Sequence, residues 1–133
     1  MKKLSFLFIP LLLCSCTLQK TYHYVDAIDR CISYYDVFYQ KLNQYYIYIY
    51  SSFCGHCREL ESDIVYYALK HDNFFLLEYT NKIKTGSNYY ESIGVHEMEQ
   101  VIIPGTPTIL NIKEKTLTDI LVGENNIKNF ISN

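Results

Sequence analysis

The residues that decide the fold are YYIYIYS at 45–51, which run directly into SFCGHC at 52–57. The first stretch is β-branched and aromatic, which predicts a buried strand. Apolar residues then recur three and four positions apart from 60 to 68. That spacing predicts a helix that begins near Cys54 and ends near His71. A pair of cysteines is therefore expected where a buried strand passes into a helix.

The chemistry expected at this junction is that of a reactive thiol. A cysteine at a helix N-terminus faces unpaired backbone N–H groups and the positive end of the helix dipole, and both favour its thiolate. The thiolate is the nucleophile of disulfide exchange, and two intervening residues let Cys57 resolve a mixed disulfide at Cys54. His56 would add a positive charge that stabilises this thiolate. We therefore predict that Cys54, Cys57 and His56 are catalytic.

The rest of the chain predicts an α/β arrangement. Further strands are expected at 74–80, 108–112 and 117–122, a short helix near 89–93 and a closing helix at 126–131. Strands that alternate with helices pair in parallel, and the late hairpin adds antiparallel strands to the same sheet. The sequence therefore predicts a mixed sheet with helices packed against it.

The segment before the first strand carries apolar residues at helical spacing over 25–42. Ser33 with Asp36 three residues later is a weak capping pattern, so a helix is predicted over 34–43. Residues 25–32 form either the first turns of this helix or a short edge strand.

The N-terminal residues are interpreted as an export signal. Met1-Lys2-Lys3 precedes about ten apolar residues at 4–13, a pattern typical of a secretory signal and too short for a spanning helix. The following Leu13-Cys14-Ser15-Cys16 resembles the lipobox of bacterial lipoproteins, in which a small residue precedes the lipidated cysteine. Ser15 assigns that role to Cys16, and an ordinary cleaved signal is the alternative.

These features divide the chain into a lipoprotein signal peptide at 1–15, a lipidated tether at 16–24 and one domain at 25–133. Acyl chains on Cys16 would hold the protein at the extracytoplasmic face of the cell membrane, where disulfides are permitted. Loss of the two signal lysines leaves 10 basic and 14 acidic residues, a net charge of −4. Anionic lipid does not attract such a chain, so the predicted membrane contact is covalent.

Composition excludes several other classes of protein. The chain has 133 residues, of which 49% are hydrophobic and 20% charged, as is typical of one globular domain. Its formal net charge of −2 gives no basic field for nucleic acid. No apolar run approaches the ~20 residues of a membrane-spanning helix, which excludes a multi-pass membrane protein.

Two motifs extend the argument to a known family. FCGHC at 53–57 after a buried strand, GTPT at 105–108 and Gly123 after the last strand resemble the thioredoxin superfamily over residues 33–131. The resemblance implies a thioredoxin-like, three-layer α/β fold with a central mixed sheet, flanking helices and a cis-Pro loop.

The resemblance also implies roles around the cysteines. In the family the proline that matches Pro107 is cis and faces the cysteine pair, and the residue before it, here Thr106, offers its backbone to an extended substrate. The CGHC tetrad is similar to that of protein disulfide isomerase, and Thr106 resembles its counterpart in bacterial disulfide isomerases. Phe53 and His56 resemble those of periplasmic thiol oxidases. The substrate-binding residues predicted in this way are Phe53, Gly55, Thr106 and Pro107.

Two positions depart from the family pattern. Many thioredoxins carry a buried acid six residues before the first cysteine, which shuttles protons for the resolving cysteine, and this sequence has Tyr48 there. The aromatic residue before the first cysteine is Phe53 rather than Trp, which keeps a hydrophobic cap. The identity of the proton shuttle is therefore left open by the sequence.

Metal and cofactor alternatives are weaker. Haem attachment requires His directly after the second cysteine, where this sequence has Arg58. Structural zinc usually takes four ligands, and only one C-x-x-C pair exists. A copper(I) chaperone that uses Cys54, His56 and Cys57 is a minor alternative. We expect no metal and no cofactor.

Three other groups are predicted to have structural rather than catalytic roles. Cys31 is read as a small, partly buried apolar residue, with a regulatory or intermolecular disulfide as the alternative. His96 with Glu97 and Glu99 is read as part of a solvated loop. His71 is expected at a helix C-terminus, where it complements the dipole.

The function predicted from the sequence is that of a membrane-anchored, extracytoplasmic thiol–disulfide oxidoreductase that exchanges disulfides with exported protein clients through Cys54 and Cys57. His56 and the exported location favour the oxidase or isomerase direction over a reductase, which would need electrons from a membrane redox partner. The alternative is an accessory or binding protein of the same fold for an exporter or a surface client. No nucleic acid partner is expected.

Overall fold

The computed structural model describes residues 18–133, and the predicted signal peptide and Cys16 lie outside them. The strands and helices are, in chain order, β1 (Gln44–Tyr50), α1 (Gly55–Lys70), β2 (Phe74–Glu78), β3 (Lys84–Thr85), β4 (Ile102–Ile103), β5 (Thr108–Lys113), β6 (Thr116–Val122) and α2 (Glu124–Ser132). Short 3-10 turns form at Tyr24–Arg30, Tyr34–Asp36, Tyr89–Ser92 and Met98–Gln100. The strands, the helix after the cysteine motif and the closing helix are confirmed, with bounds that differ by a few residues.

Four strands form a mixed sheet in the order β2-β1-β5-β6. β1 is parallel to β2 and antiparallel to β5, and β5 and β6 form an antiparallel hairpin. Glu114 and Lys115 connect the hairpin with positive φ angles of 52° and 59°, as a two-residue turn between twisted strands requires. β3 and β4 form a separate parallel pair. The predicted combination of parallel pairing and a late hairpin is confirmed.

Alternate side chains of β1 point to opposite faces of the sheet, so each face has its own core. One core, which we call the helical face, packs against α1 and α2 and contains Ala27, Tyr48, Tyr50, Cys57, Leu60, Ile64, Val65, Ala68, Phe74, Leu76, Ile109 and Ile127. The other, which we call the irregular face, lies beneath turns and loops and contains Tyr34, Val37, Phe38, Tyr45, Ile47, Ile49, Leu77, Ile83, Met98, Val101, Ile103, Leu110, Ile112, Leu117 and Ile120. The sheet is therefore the middle one of three layers.

The predicted helix over 34–43 is wrong, because only one 3-10 turn forms there. The side-chain amide of Gln40 donates to the carbonyl of Asp36 (2.9 Å), and the hydroxyl of Tyr45 donates to the carbonyl of Val37 (2.8 Å). In an α-helix these two carbonyls would accept backbone N–H groups four residues further on. Side chains have taken the acceptors that the helix would need.

The residues before this turn also differ from a regular helix. The hydroxyl of Ser33 donates to the carboxylate of Asp36 (2.6 Å) and does not cap the turn. Cys31 forms an isolated parallel bridge with Leu76 of β2, so residues 25–32 combine a 3-10 turn with a minimal edge pairing. The apolar residues that suggested a helical stripe are largely exposed: Val25, Ile28, Tyr35, Tyr39 and Leu42.

The strand order, the mixed pairing and the packed helices form a thioredoxin-like α/β fold, as predicted. The cysteine pair lies at the junction of β1 and α1, at one end of the central strands. Within residues 18–133, no helix is both long enough and apolar enough to cross a membrane.

Candidate redox site

Cys54 and Cys57 are joined by a disulfide at the start of α1. Cys54 is the N-cap of the helix and is partly exposed, whereas Cys57 lies in the first turn and is fully buried. The backbone N–H of Cys57 donates to the Cys54 sulfur (3.2 Å). A hydrogen bond of this kind stabilises a thiolate more than a thiol, so the helix N-terminus favours ionised Cys54 after reduction.

The loop that precedes β5 lies against the Cys54 sulfur. The peptide bond between Thr106 and Pro107 is cis, and the carbonyl oxygen of Thr106 lies 3.4 Å from Cys54 Sγ. The hydroxyl of Thr108 donates to the carbonyl of Gly105 (2.7 Å) and fixes the loop. Thr108 also pairs with Ile49 near the end of β1. This strand pairing brings together two motifs that are about fifty residues apart in the sequence.

A cleft of about 630 Å³ opens beside this loop. One wall is the loop itself, from Pro104 to Pro107, a second is His56, and the third is the turn from Val122 to Asn126 that starts α2. Neither cysteine lines the cleft, but its lining residue Thr106 contacts the Cys54 sulfur through its carbonyl oxygen, so the cleft adjoins the disulfide.

His56 lies at the edge of the cleft beside two acidic residues, of which Glu124 makes the short contact. Its Nδ1 lies 2.6 Å from Glu124 Oε2 and 3.7 Å from Glu59 Oε2. Lys128 Nζ lies 2.7 Å from the other oxygen of Glu124. The hydrogen bond from Lys128, and then the contact with His56, lower the pKa of the Glu124 carboxyl below its usual value, so this carboxyl is ionised at neutral pH.

Glu124 was missed by the sequence analysis. It is 68 residues from His56, and a carboxylate at the first position of a helix is common because it complements the dipole. The available signal was Gly123, whose φ of +90° lets the chain turn sharply out of β6 into α2. Nothing in the sequence indicated that this turn would meet His56.

Tyr48 occupies the position at which many thioredoxins have an acid, and it is fully buried in the same core as Cys57. Burial raises the pKa of Tyr48 to about 12. Its hydroxyl makes no hydrogen bond of standard geometry among residues 18–133, and a weaker contact with the Tyr24 phenol partly offsets the effect of burial on its pKa. The neighbouring Tyr24 stacks on Tyr50 at a centroid distance of 3.8 Å and donates its hydroxyl to the carbonyl of Cys57 (2.9 Å). Phenols therefore stand where many thioredoxins have a carboxylate, and the identity of the proton shuttle stays open.

Phe53 and Gly55, predicted to bind substrate, are both exposed beside Cys54. The Phe53 side chain is 94% exposed, and its backbone N–H donates to the hydroxyl of Ser51 (3.2 Å). Apart from Gly55 itself, its chain neighbours and the backbone of its own helix, no atom lies within 4 Å of the position that a Cβ would take there. The surface around the partly exposed sulfur is thus apolar on one side and open on the other.

The remaining candidates lie apart from the cleft. Cys31 is exposed rather than partly buried, although its sulfur donates to the carbonyl of Ala27 (3.6 Å) and burial of the sulfur raises the pKa of the thiol. His71 is the C-cap of α1, as predicted, and stacks on Tyr67 (3.8 Å). His96 is exposed and lies 3.1 Å from the hydroxyl of Thr116.

Metal binding finds little support in this arrangement. In the described part of the chain, the group with ligand atoms close enough together is His56, Glu59 and Glu124, within 4.8 Å of one another. Lys128 already pairs with Glu124 there, so the cluster is an ion-pair network. Copper(I) binding would need the reduced form, in which Cys54 and Cys57 are thiols, so this alternative stays a prediction that the disulfide form does not test.

Fold and site together define a thioredoxin-like domain with a disulfide at the first turn of its main helix. No family model matches the sequence, and no curated protein matches it. Among solved structures, the chain is similar to thioredoxin F from spinach chloroplast in its long form, with 12% sequence identity and a TM-score of 0.47. That similarity covers 86% of this chain and 95% of the spinach chain. The fold assignment rests on the strand order described above.

Proposed function

We propose that this protein is a thiol–disulfide oxidoreductase that exchanges disulfides with exported protein clients at the outer face of a cell membrane. The observation that carries the proposal is the disulfide of Cys54 and Cys57, with the Cys54 sulfur partly exposed at a helix N-terminus and the Cys57 sulfur buried behind it. Burial of Cys57 directs an incoming nucleophile to Cys54.

The proposed reaction oxidises a client dithiol in two exchange steps. A client thiol loses its proton and attacks Cys54 Sγ, the Cys54–Cys57 bond breaks, and the electron pair leaves on the Cys57 sulfur. The second client thiolate then attacks the client sulfur of this mixed disulfide and releases Cys54 as a thiolate. The client loses two electrons and gains a disulfide, and the protein gains two electrons and, on protonation, two thiols. The reverse sequence reduces a client.

We favour the oxidase or isomerase direction over the reductase direction. The N–H of Cys57 points at the Cys54 sulfur, and a donor in this place stabilises the thiolate of the reduced protein. Stabilisation of the reduced form makes a dithiol–disulfide pair a stronger oxidant. The client segment is proposed to bind beside Thr106 and Pro107, in the cleft next to Cys54.

Location at the membrane is proposed from the lipobox-like sequence and the cysteine at 16. The backbone N–H of Tyr22 donates to the hydroxyl of Ser62 (3.0 Å), and the hydroxyl of Tyr24 donates to the carbonyl of Cys57 (2.9 Å). These hydrogen bonds fix the chain to α1 from Tyr22 onward. The six-residue step from Cys16 to Tyr22 spans at most about 20 Å. A lipid on Cys16 would therefore keep the redox site close to the membrane, within reach of a membrane redox partner.

The exchange reaction is tested with two single variants. Cys57→Ser should accumulate a mixed disulfide with client proteins in the compartment where the protein is expressed. In this variant Cys54 still attacks a client disulfide, as in the reverse sequence, and no Cys57 thiol remains to resolve the bond that forms. The matched variant Cys54→Ser should form none, since the remaining sulfur is buried. Non-reducing gels after acid trapping of thiols measure both. Equal trapping by the two variants, or by neither, would contradict the assigned roles and favour an accessory protein.

The anchor is tested in the same way. Cys16→Ser should release the protein from the membrane fraction, whereas Cys14→Ser should leave it bound. Mass spectrometry of the N-terminal peptide should show acyl chains on Cys16. An unmodified N-terminal peptide in a membrane-free fraction would instead indicate an ordinary cleaved signal.

A further inference from the structure

The imidazole of His56 has an unusually well-defined partner. Its Nδ1 lies 2.6 Å from Glu124 Oε2, and Glu124 is only 15% exposed although His56 itself is 69% exposed. Lys128 holds the second oxygen of the carboxylate at 2.7 Å. The carboxylate is thus fixed on one side by Lys128 and presents its other oxygen to the ring.

This contact determines which ring nitrogen exchanges protons. An ionised carboxylate has no hydrogen to donate, so Nδ1 of His56 must be the donor and carries a proton whether the ring is neutral or charged. Nε2 is then the nitrogen that gains and loses a proton. A buried or half-buried acid that fixes a histidine tautomer in this manner is a common arrangement in catalytic sites.

The His56 ring lies in the wall of the cleft in which we propose that the client binds. His56 and Glu124 both line the cleft, together with Thr106 and Pro107. The carbonyl oxygen of Thr106 lies 3.4 Å from Cys54 Sγ. The charged groups that face the ring are Glu59 on its own helix and Glu124 on α2, with Lys128 behind Glu124. The loop wall of the cleft, Pro104 to Pro107, adds no charged side chain.

We propose that Glu124 is a positioning residue that holds His56 by Nδ1, so that Nε2 accepts the proton of a client thiol as its sulfur attacks Cys54. This inference rests on the proposed function. The client thiol transfers its proton to Nε2, its sulfur bonds to Cys54 Sγ, and the disulfide electron pair leaves on Cys57. The resulting imidazolium lies against the Glu124 carboxylate and returns its proton to water. In the reverse direction, Nε2–H protonates the departing client thiolate.

The test compares Glu124→Gln with Glu59→Gln, which removes a similar charge near the same ring without a short contact to it. The rate of oxidation of a dithiol peptide by the disulfide form, measured near neutral pH, should fall about three- to tenfold in Glu124→Gln. Glu59→Gln should stay within about twofold of the parent protein, because exposed pairs at this distance couple weakly. Equal losses in the two variants would show a general charge effect and overturn the proposal.

A double-mutant cycle separates positioning from indirect damage. In a His56→Gln background, Glu124→Gln should produce no further loss, because the ring through which it acts is absent. ¹⁵N NMR of the parent protein should show a proton on Nδ1 of neutral His56, and Glu124→Gln should abolish that preference. Additive losses in the cycle, or an unchanged tautomer in Glu124→Gln, would overturn the proposal. Absence of any exchange by the parent protein would instead contradict the proposed function.

Discussion

Two tyrosines three positions apart in β1 meet opposite environments. Tyr45 lies on the irregular face and Tyr48 on the helical face, and both are fully buried. The hydroxyl of Tyr45 donates to the carbonyl of Val37 (2.8 Å), whereas the hydroxyl of Tyr48 makes no hydrogen bond of standard geometry among residues 18–133 and has only a weaker contact with the Tyr24 phenol. The two faces have similar apolar cores but accommodate buried polar atoms differently.

The covering layer explains the difference. The segment around Val37 forms a 3-10 turn and not an α-helix, so the Val37 carbonyl is free to accept a hydrogen bond from Tyr45. The interior carbonyls of α1 are already paired within the helix, and the carbonyl of Cys57 also accepts the hydroxyl of Tyr24. An unpaired buried hydroxyl costs about 1–3 kcal/mol. The helical face therefore carries a local cost next to the redox cysteines, at a position where the family often has an acid.

The first prediction concerns the apolar cores, which we expect to be equivalent. Leu60 on the helical face and Leu110 on the irregular face are both fully buried. Leu60→Ala and Leu110→Ala should each lower the free energy of unfolding by about 2–5 kcal/mol, through lost burial and a cavity. Urea denaturation measures both, with Leu60→Met as a control that should cost less than about 1.5 kcal/mol. A loss below about 1 kcal/mol on one face alone would mean that this face is loosely packed.

The second prediction is a loss of stability at alkaline pH that comes from the helical face. Because the pKa of Tyr48 is raised to about 12 in the folded protein, the unfolded chain releases this proton first, near pH 10. The contribution is fully present below pH 10 and is lost between pH 10 and about 12, by up to about 1.4 kcal/mol per pH unit.

Tyr48→Phe should therefore make the free energy of unfolding fall less steeply above pH 10. Tyr39→Phe is the matched control, because Tyr39 is 73% exposed, and it should leave the slope unchanged. Denaturant melts at several alkaline pH values measure the slopes. The same slope in Tyr48→Phe and in the parent protein would show that Tyr48 does not hold its proton in the way described.

The third prediction is a difference in sign. Tyr45→Phe removes a hydrogen bond and leaves the carbonyl of Val37 without its donor, so it should destabilise by about 1 kcal/mol. Tyr48→Phe leaves the side-chain volume nearly unchanged and removes a buried hydroxyl that lacks a hydrogen bond of standard geometry. It should therefore raise the free energy of unfolding by a similar amount. Thermal unfolding at pH 7 compares the two. Destabilisation by both substitutions would indicate that the Tyr48 hydroxyl is hydrogen-bonded, either to the Tyr24 phenol or to buried water.

The same two faces show what the sequence can predict. The predicted junction between a strand at 45–51 and the helix of the cysteine motif was correct, because strand patterning and helix spacing are local signals. The helix predicted over 34–43 was wrong because Gln40 and Tyr45 take the carbonyls it needed. Those contacts depend on how the irregular face packs, which no local pattern records.

The candidate site shows the same difference between local signals and contacts that depend on the fold. The positions of Cys54 and Cys57 followed from their spacing, and the loop before β5 was anticipated through the family resemblance. The partner of His56 was not anticipated, because Glu124 reaches it only after β6 has paired with β5 and Gly123 has turned the chain into α2. Interactions between distant segments require the topology as well as the sequence.

The most direct test of the proposed redox role is the reduction potential of the Cys54–Cys57 pair. The purified protein is equilibrated in glutathione buffers of graded ratio, and free thiols are trapped with a mass tag and counted. We expect one reversible two-electron transition with a potential between about −120 and −200 mV, in the range of oxidants and isomerases. A value near −270 mV or lower would contradict the proposed direction and indicate a reductase. Failure to form a reversible disulfide at any ratio would contradict the oxidoreductase function itself.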